Sequence, residues 1–234
     1  MTIESQYGKL FYKQAQTAID AISDDVLDVV LSGKIEGRWH PNGFVIFRLG
    51  NFQSPEYLSR NVDHGLNTSE TSTLGQLRLH VWPRGHRVTA ANHPPTHSHS
   101  WWLCSKILAG KYTDTVFPRI NIPVASDTRY VKYAVEYKNE NEADIVPTED
   151  EVFIRTGPTR SRNVGEFHLM APDHFHQNEI ENESMCVTLL IMSDLTPGSD
   201  VIIGPGGGPR LAIKRRAISG DEASTIFEQL SIGL

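Results

Sequence analysis

Ten histidines stand in this 234-residue chain, and six of them fall in two short clusters. The first is His93, His97 and His99; the second is His168, His174 and His176. Imidazole is the commonest metal ligand among side chains and titrates near neutral pH, so clusters of this kind raise metal chemistry first. Residues two apart in a strand project from one face. His97 and His99 would stand about 6–7 Å apart at the backbone, near enough for both rings to reach one ion. Two ligands hold a metal poorly, so a third must come from another segment. His176 is the candidate, with His174, on the same strand face, as the alternative. His168 reads as a solvated residue, with an inward place beside the ligands as its alternative. His93 precedes Pro94-Pro95 and reads as a surface loop residue, while His40, His64, His80 and His86 carry no metal-ligand spacing.

Other side chains near these clusters could bind a substrate. Arg78 and His80 alternate with Leu77, Leu79 and Val81. They therefore face either solvent or a polar interior, where Arg78 could pair with a carboxylate or phosphate through two parallel hydrogen bonds. Arg129 and Arg155 offer the same choice. Trp101 shares the strand face of His97 and His99 and either walls a pocket or packs in the core; Trp102 points the other way. With Tyr112, these give Arg78, His80, Trp101 and Tyr112 as the candidate substrate-binding set. Cys104 lies on the face opposite the two histidines and, like Cys186, reads as inert core.

The elements that must position these groups are mostly strands. Residues Ser5 to about Leu31 have a helical stripe of Phe11, Ala15, Ile19, Ile22, Leu27 and Val30, which Ser23-Asp24-Asp25 can split. After Ser32-Gly33 the period changes to two. Phe44–Leu49, Leu77–Trp82, His97–Leu108, Tyr112–Phe117, Arg129–Tyr137, Val152–Thr156, Glu166–Met170 and Met185–Met192 read as strands, punctuated by Gly and Pro. Strands at this spacing without intervening helices predict an antiparallel sandwich or barrel rather than a parallel α/β fold. Asn139–Asp150 is acidic and reads as a solvated loop, with a lid over the site as an alternative role. The glycine-rich run Gly204–Pro209 lacks a following Gly-Lys-Ser/Thr, so it is no phosphate loop. The basic run Arg210–Arg216 reads as a solvated face, and a last helix is expected over Asp221–Leu230. The chain thus divides into a helical segment at 1–34, a β-barrel at 35–205, and a basic segment with a helix at 206–234.

Composition limits what this assembly can be. Hydrophobic residues make up 39% and charged residues 21%, as in a soluble globular protein. The formal net charge of -6 argues against a nucleic-acid partner. The longest apolar runs, such as Val187–Met192, fall far short of the roughly 20 residues that span a bilayer, so no membrane partner is expected. Two cysteines cannot build a disulfide framework or a zinc ribbon. Met1–Tyr7 is polar and has no leader pattern, which makes a cytoplasmic location the expectation.

The combined spacing resembles the cupin superfamily. The first cupin motif runs Gly, five residues, His-x-His, three or four residues, Glu, six residues, Gly. Here Ala91, His97, His99, Leu103 and Gly110 occupy those places. The second runs Gly, five residues, Pro-x-Gly, two residues, His, three residues, Asn; here stand Gly165, Ala171, Asp173, His176 and Ile180. The resemblance extends over roughly Trp39–Ile203 as a fold, while about thirty residues carry the motifs. It implies an antiparallel barrel or jelly roll of cupin type, with helical additions at both ends. It also implies one metal held by His97, His99 and His176, each ring oriented by an acceptor on its other nitrogen. With Leu103 in the Glu place, the chain is similar to three-histidine cupins such as the thiol dioxygenases, which hold Fe(II). That implies a mononuclear non-haem iron oxygenase or dioxygenase acting on a small polar, anionic or thiol substrate. Imidazole suits Zn(II) and Ni(II) as well, so an isomerase, lyase or hydrolase on the same scaffold, or a non-catalytic binding barrel, are the alternatives. Cupins commonly pair through exposed sheet edges, which leaves two options, a homodimer or an N-terminal helix that covers such an edge.

Overall fold

The computed structural model describes residues 3–52, 75–90, 93–124, 127–139, 141–193, 200–206 and 208–233. Ala91 and Gly207 lie outside these residues. The fold begins with α1 (Ile3–Ile22), whose Phe11, Ala15 and Ile19 recur every four residues and are fully buried. Ser23 ends the helix by donating from its hydroxyl to the Ile19 carbonyl at 2.6 Å, and the short α2 (Val26–Leu31) follows.

The strands form two sheets. In the six-stranded sheet the order is β1 (Gly37–Trp39), β2 (Val45–Phe52), β3 (Gly75–Trp82), β12 (Cys186–Ser193), β5 (Leu103–Ala109) and β10 (Phe167–Met170). In the eight-stranded sheet it is β14 (Leu211–Lys214), β8 (Glu142–Ile154), β7 (Thr128–Tyr137), β13 (Val201–Gly204), β4 (His97–Ser98), β11 (Phe175–Glu179), β6 (Lys111–Phe117) and β9 (Thr159–Asn163). Neighbouring strands run antiparallel throughout. The described strands make two sheets with free edges, not one closed barrel. No helix among the described residues is long and apolar enough to cross a membrane.

The main core lies between α1 and one face of the six-stranded sheet. Phe11, Ile19, Phe47, Leu79, Leu189 and Ile191 meet there, and α3 (Gly220–Ile232) adds Ile226 and Leu230. Ser219 caps α3 by accepting from the Glu222 amide, while the Glu222 carboxylate accepts from the Ser219 amide. The other face of that sheet looks toward the eight-stranded sheet across a cavity of about 550 Å³.

Two expectations from the sequence need correction. His97–Leu108 is not one strand. The chain leaves the eight-stranded sheet after Ser98 and enters the six-stranded sheet at Leu103. Between them the Trp102 amide donates to Ser193 Oγ at 3.0 Å and the Ser193 amide donates back to the Trp102 carbonyl at 3.0 Å. Trp102 is thereby drawn to the helix side, edge-on to Tyr12 at 5.5 Å, while Trp101 stays on the cavity side. The acidic stretch Asn139–Asp150 is not a loop either. From Glu142 onward it is β8, paired along β7 and β14, with the Asp144 carboxylate bound by Arg210 and, at 2.8 Å, by Lys138. Acidic residues alternating with Ala143, Ile145 and Val152 satisfy a sheet with one buried face.

Candidate metal centre

His97 and His176 stand directly opposite one another in the pairing of β4 with β11. Their ring centroids are 4.6 Å apart. His99, just past the end of β4, lies 4.7 Å from His97 and 5.4 Å from His176 by the same measure. One ligand nitrogen from each of the three lies within 4.8 Å of the others, and among the described residues this is the one group of three or more so placed. Such a group could hold a metal ion. His174 precedes β11, is exposed, and turns its Nδ1 to the Pro172 carbonyl at 2.9 Å; it does not join the cluster.

An oxygen faces Nδ1 of every ring in the cluster. The Pro95 carbonyl lies 2.9 Å from His97. Asp200 Oδ1 lies 3.6 Å from His99, and Asp114 Oδ1 lies 3.6 Å from His176. A carbonyl oxygen only accepts, so His97 Nδ1 carries the proton and its Nε2 keeps the lone pair; the 3.6 Å contacts at His99 and His176 are longer than hydrogen bonds and act through charge. The donors continue outward in a consistent sense. Tyr137 donates to Asp200 Oδ2 at 2.6 Å. His168 Nε2 lies 3.2 Å from Asp114 Oδ2, so its Nδ1 is the acceptor for the Tyr112 hydroxyl at 2.7 Å. Arg162 approaches the same Asp114 oxygen at 3.6 Å. Both ring nitrogens of His176 and Nδ1 of His99 are buried without a hydrogen-bond partner, as groups open to a ligand would be.

The electrostatics favour neutral rings. Burial pushes the pKa of His97 down to about 3 and those of His99 and His176 down to about 4. Asp200 and Asp114 oppose that shift without reversing it. Burial acts to raise Asp200, yet His99, Tyr137 and the Ser100 amide bring it to about 2. Burial likewise acts on Asp114, whose carboxyl His168 and His176 hold well below the usual range. Burial and the Asp114 charge push the Tyr112 phenol well above its usual value, so it stays a donor. Three neutral imidazoles, with two carboxylates behind them, suit a divalent transition metal and fit the site well.

The remaining sequence candidates fall into two groups. Arg78, His80, Trp101 and Tyr112 all line the cavity. Trp101 stacks on His99 with centroids 3.8 Å apart and planes 22° from parallel. His93 also reaches the cavity, and His168 is buried against it with 3% exposure, unlike their solvated readings. Arg129 and Arg155 lie on the surface, paired with Glu151 and Asp127. The basic run is largely neutralised by Asp144, Glu142 and Glu222. Cys104 and Cys186 are buried, and burial pushes both thiols up to about 12, so neither is a nucleophile. Asp114, Asp200, Tyr137, Arg48, Arg215 and His40 belong to the site or its cavity, and no motif spacing marks them.

Local backbone shape explains how the histidines arrive. Gly110 has φ 71, and a Cβ there would collide with the Met185 carbonyl oxygen, so only glycine makes the turn from β5 to β6. Asp173, in the turn before β11, has φ 61 and is the one non-glycine residue with positive φ among the described residues. Its amide donates to the His99 carbonyl at 2.8 Å, tying the two histidine segments together. Leu103 is buried on the cavity wall and offers no ligand atom. No known protein family matches the chain, and no curated protein matches it at a significant level.

Proposed function

We propose that this chain is a metal-dependent enzyme of cupin type: a mononuclear non-haem iron(II) oxygenase that acts on a small polar, anionic substrate. The observation that carries this reading is the convergence of His97, His99 and His176, within 4.8 Å of one another, on a cavity of about 550 Å³. That volume suits a small-molecule ligand. Iron(II) bound there would supply oxygen activation and a positive charge that polarises the substrate. The chain's own residues do the rest. The Pro95 carbonyl orients His97, the Asp200 and Asp114 carboxylates face His99 and His176, and one ring nitrogen of each histidine is left to meet the others. Trp101, stacked on His99, shields that ligand from water. Leu103, Leu190 and Met192 form an apolar cluster that orients the less polar part of the substrate. Arg78 and His80 bind its polar end.

The resemblance to three-histidine cupins supports iron over other metals, because the neutral ligand set leaves room for substrate and oxygen together. Anaerobic reconstitution with Fe(II), followed by oxygen-uptake measurements across small thiols and carboxylic acids, tests it. Near-stoichiometric iron with substrate-dependent oxygen uptake is expected. Stoichiometric zinc or nickel without oxygen uptake would transfer the site to hydrolase, lyase or isomerase chemistry. Failure to retain any metal would leave a non-catalytic small-molecule-binding module.

A further inference from the structure

A second, smaller pocket lies beside the histidine cluster. It holds about 60 Å³ and shares His97, His99, Tyr137 and Asp200 with the main cavity. Tyr137 and Asp200 are bound to each other at 2.6 Å. Five described residues line this side pocket and not the main cavity: Val135, Ala143, Ile145, Ile202 and Ile213. All five are aliphatic, and all but Val135 are buried. Strand register brings them there. Ile213 stands opposite Ala143, Ile145 opposite Val135, and Ile202 opposite His97, which itself stands opposite His176. Residues paired across strands share a sheet face. An apolar row therefore crosses β14, β8, β7 and β13 and ends at the ligand histidines.

We infer that this side pocket is a holding site for dioxygen, formed by Val135, Ala143, Ile145, Ile202 and Ile213 next to the metal centre. This deepens the oxygenase reading and rests on it for the identity of the guest; the site itself is made by five side chains with no ligand atom. Size limits what can enter. Ordinary ligand pockets run to roughly 300–1,000 Å³, so a pocket of about 60 Å³ admits only a molecule of a few atoms. Chemistry limits it further. Aliphatic walls give a water molecule too few hydrogen bonds, and apolar hollows stay dry and take up apolar guests such as xenon. Dioxygen is diatomic, uncharged and without a dipole, so it leaves water readily for such surroundings. A guest there stands beside His97 and His99 and leaves the main cavity to the polar substrate.

The test is xenon titration of the metal-free protein, followed by xenon NMR, which reads the pocket without any turnover. Saturable xenon binding is expected in the wild type. Ala143→Leu fills the pocket and should abolish that binding with metal content unchanged. Ile213→Phe is the second filling variant should Ala143→Leu fail to fold, with circular dichroism as the check on both. In the iron-loaded protein the filled variant should raise the KM for oxygen several-fold and leave the KM for the organic substrate in place, a split that general damage to the fold would not produce. Absence of saturable xenon binding in the wild type, retention of xenon in a folded filled variant, or an unchanged oxygen KM there overturns the inference. A wild type that consumes oxygen but binds no xenon loses the holding site and keeps the oxygenase reading. One that binds xenon but consumes no oxygen loses the oxygenase reading and, with it, dioxygen as the guest.

Discussion

The two faces of the six-stranded sheet are built from the same strands and do opposite things. On β3, Leu79 and Val81 are fully buried against the helices, while Arg78 and His80 between them line the cavity. On β12, Val187, Leu189 and Ile191 pack under α1 and Thr188, Leu190 and Met192 face the cavity. The helix face gathers apolar area without polar atoms to satisfy, so it supplies stability. The cavity face holds guanidinium and imidazole groups that burial disfavours, so it costs stability rather than supplying it. Period two keeps these roles on separate residues, and substitutions can therefore separate them.

Acid should break the cavity face first. Burial holds the rings of His97, His99 and His176 at about 3 to 4, below the ordinary histidine value. Between pH 6.5 and 4 the unfolded chain therefore binds more protons than the folded one. Stability is complete above pH 6.5 and falls as the pH drops through that window, by at most about 1.4 kcal/mol per pH unit for each ring. Urea unfolding of metal-free protein at pH 7 and pH 5 should show a large loss at pH 5; equal stabilities would contradict the burial of three neutral imidazoles.

Truncation sharpens the contrast. Leu79→Ala should cost about 3 kcal/mol through the cavity it leaves, with metal content per folded molecule unchanged. Arg78→Gln should stay within about 1 kcal/mol of the wild type. Equal losses for the two would mean that the faces are not divided as described. Asp114→Asn removes the charge behind His176 and should weaken metal affinity by about 10–100-fold while the protein stays folded. Competition against a chelator measures this. The smallest effect is expected at Asp173, whose φ of 61 suits glycine better. Asp173→Gly should leave metal binding intact and raise stability by up to about 1 kcal/mol, read as a higher unfolding midpoint.

The sequence made the three-histidine cluster legible because His97 and His99 are close neighbours in the chain and His176 stood out as the third candidate, although His99 lies past the end of β4 and not on its strand face. It made the helices legible because Phe11, Ala15 and Ile19 keep a helical spacing. The strand break after Ser98 was hidden, since His97–Leu108 keeps a strand-like composition straight through the change of sheet. His168 was hidden for a different reason. Local hydropathy would bury Leu169 and expose its polar neighbour, yet Leu169 is 41% exposed and His168 is buried, because Tyr112 and Asp114 satisfy both ring nitrogens. Asp114, Asp200 and Arg215 reach the site from segments far apart in the chain. A single charged residue in a strand has no partner in its own neighbourhood to signal its role, and only the tertiary fold supplies one.

His97, His99 and His176 are placed to form one metal centre, and His174 stands outside it. Metal content by mass spectrometry on untagged protein, compared with His176→Ala and His174→Ala, tests this most directly. Near-stoichiometric metal is expected in the wild type and in His174→Ala, with loss of nearly all of it in His176→Ala. Retention in a folded His176→Ala, or absence from the wild type after anaerobic Fe(II) reconstitution, would contradict it.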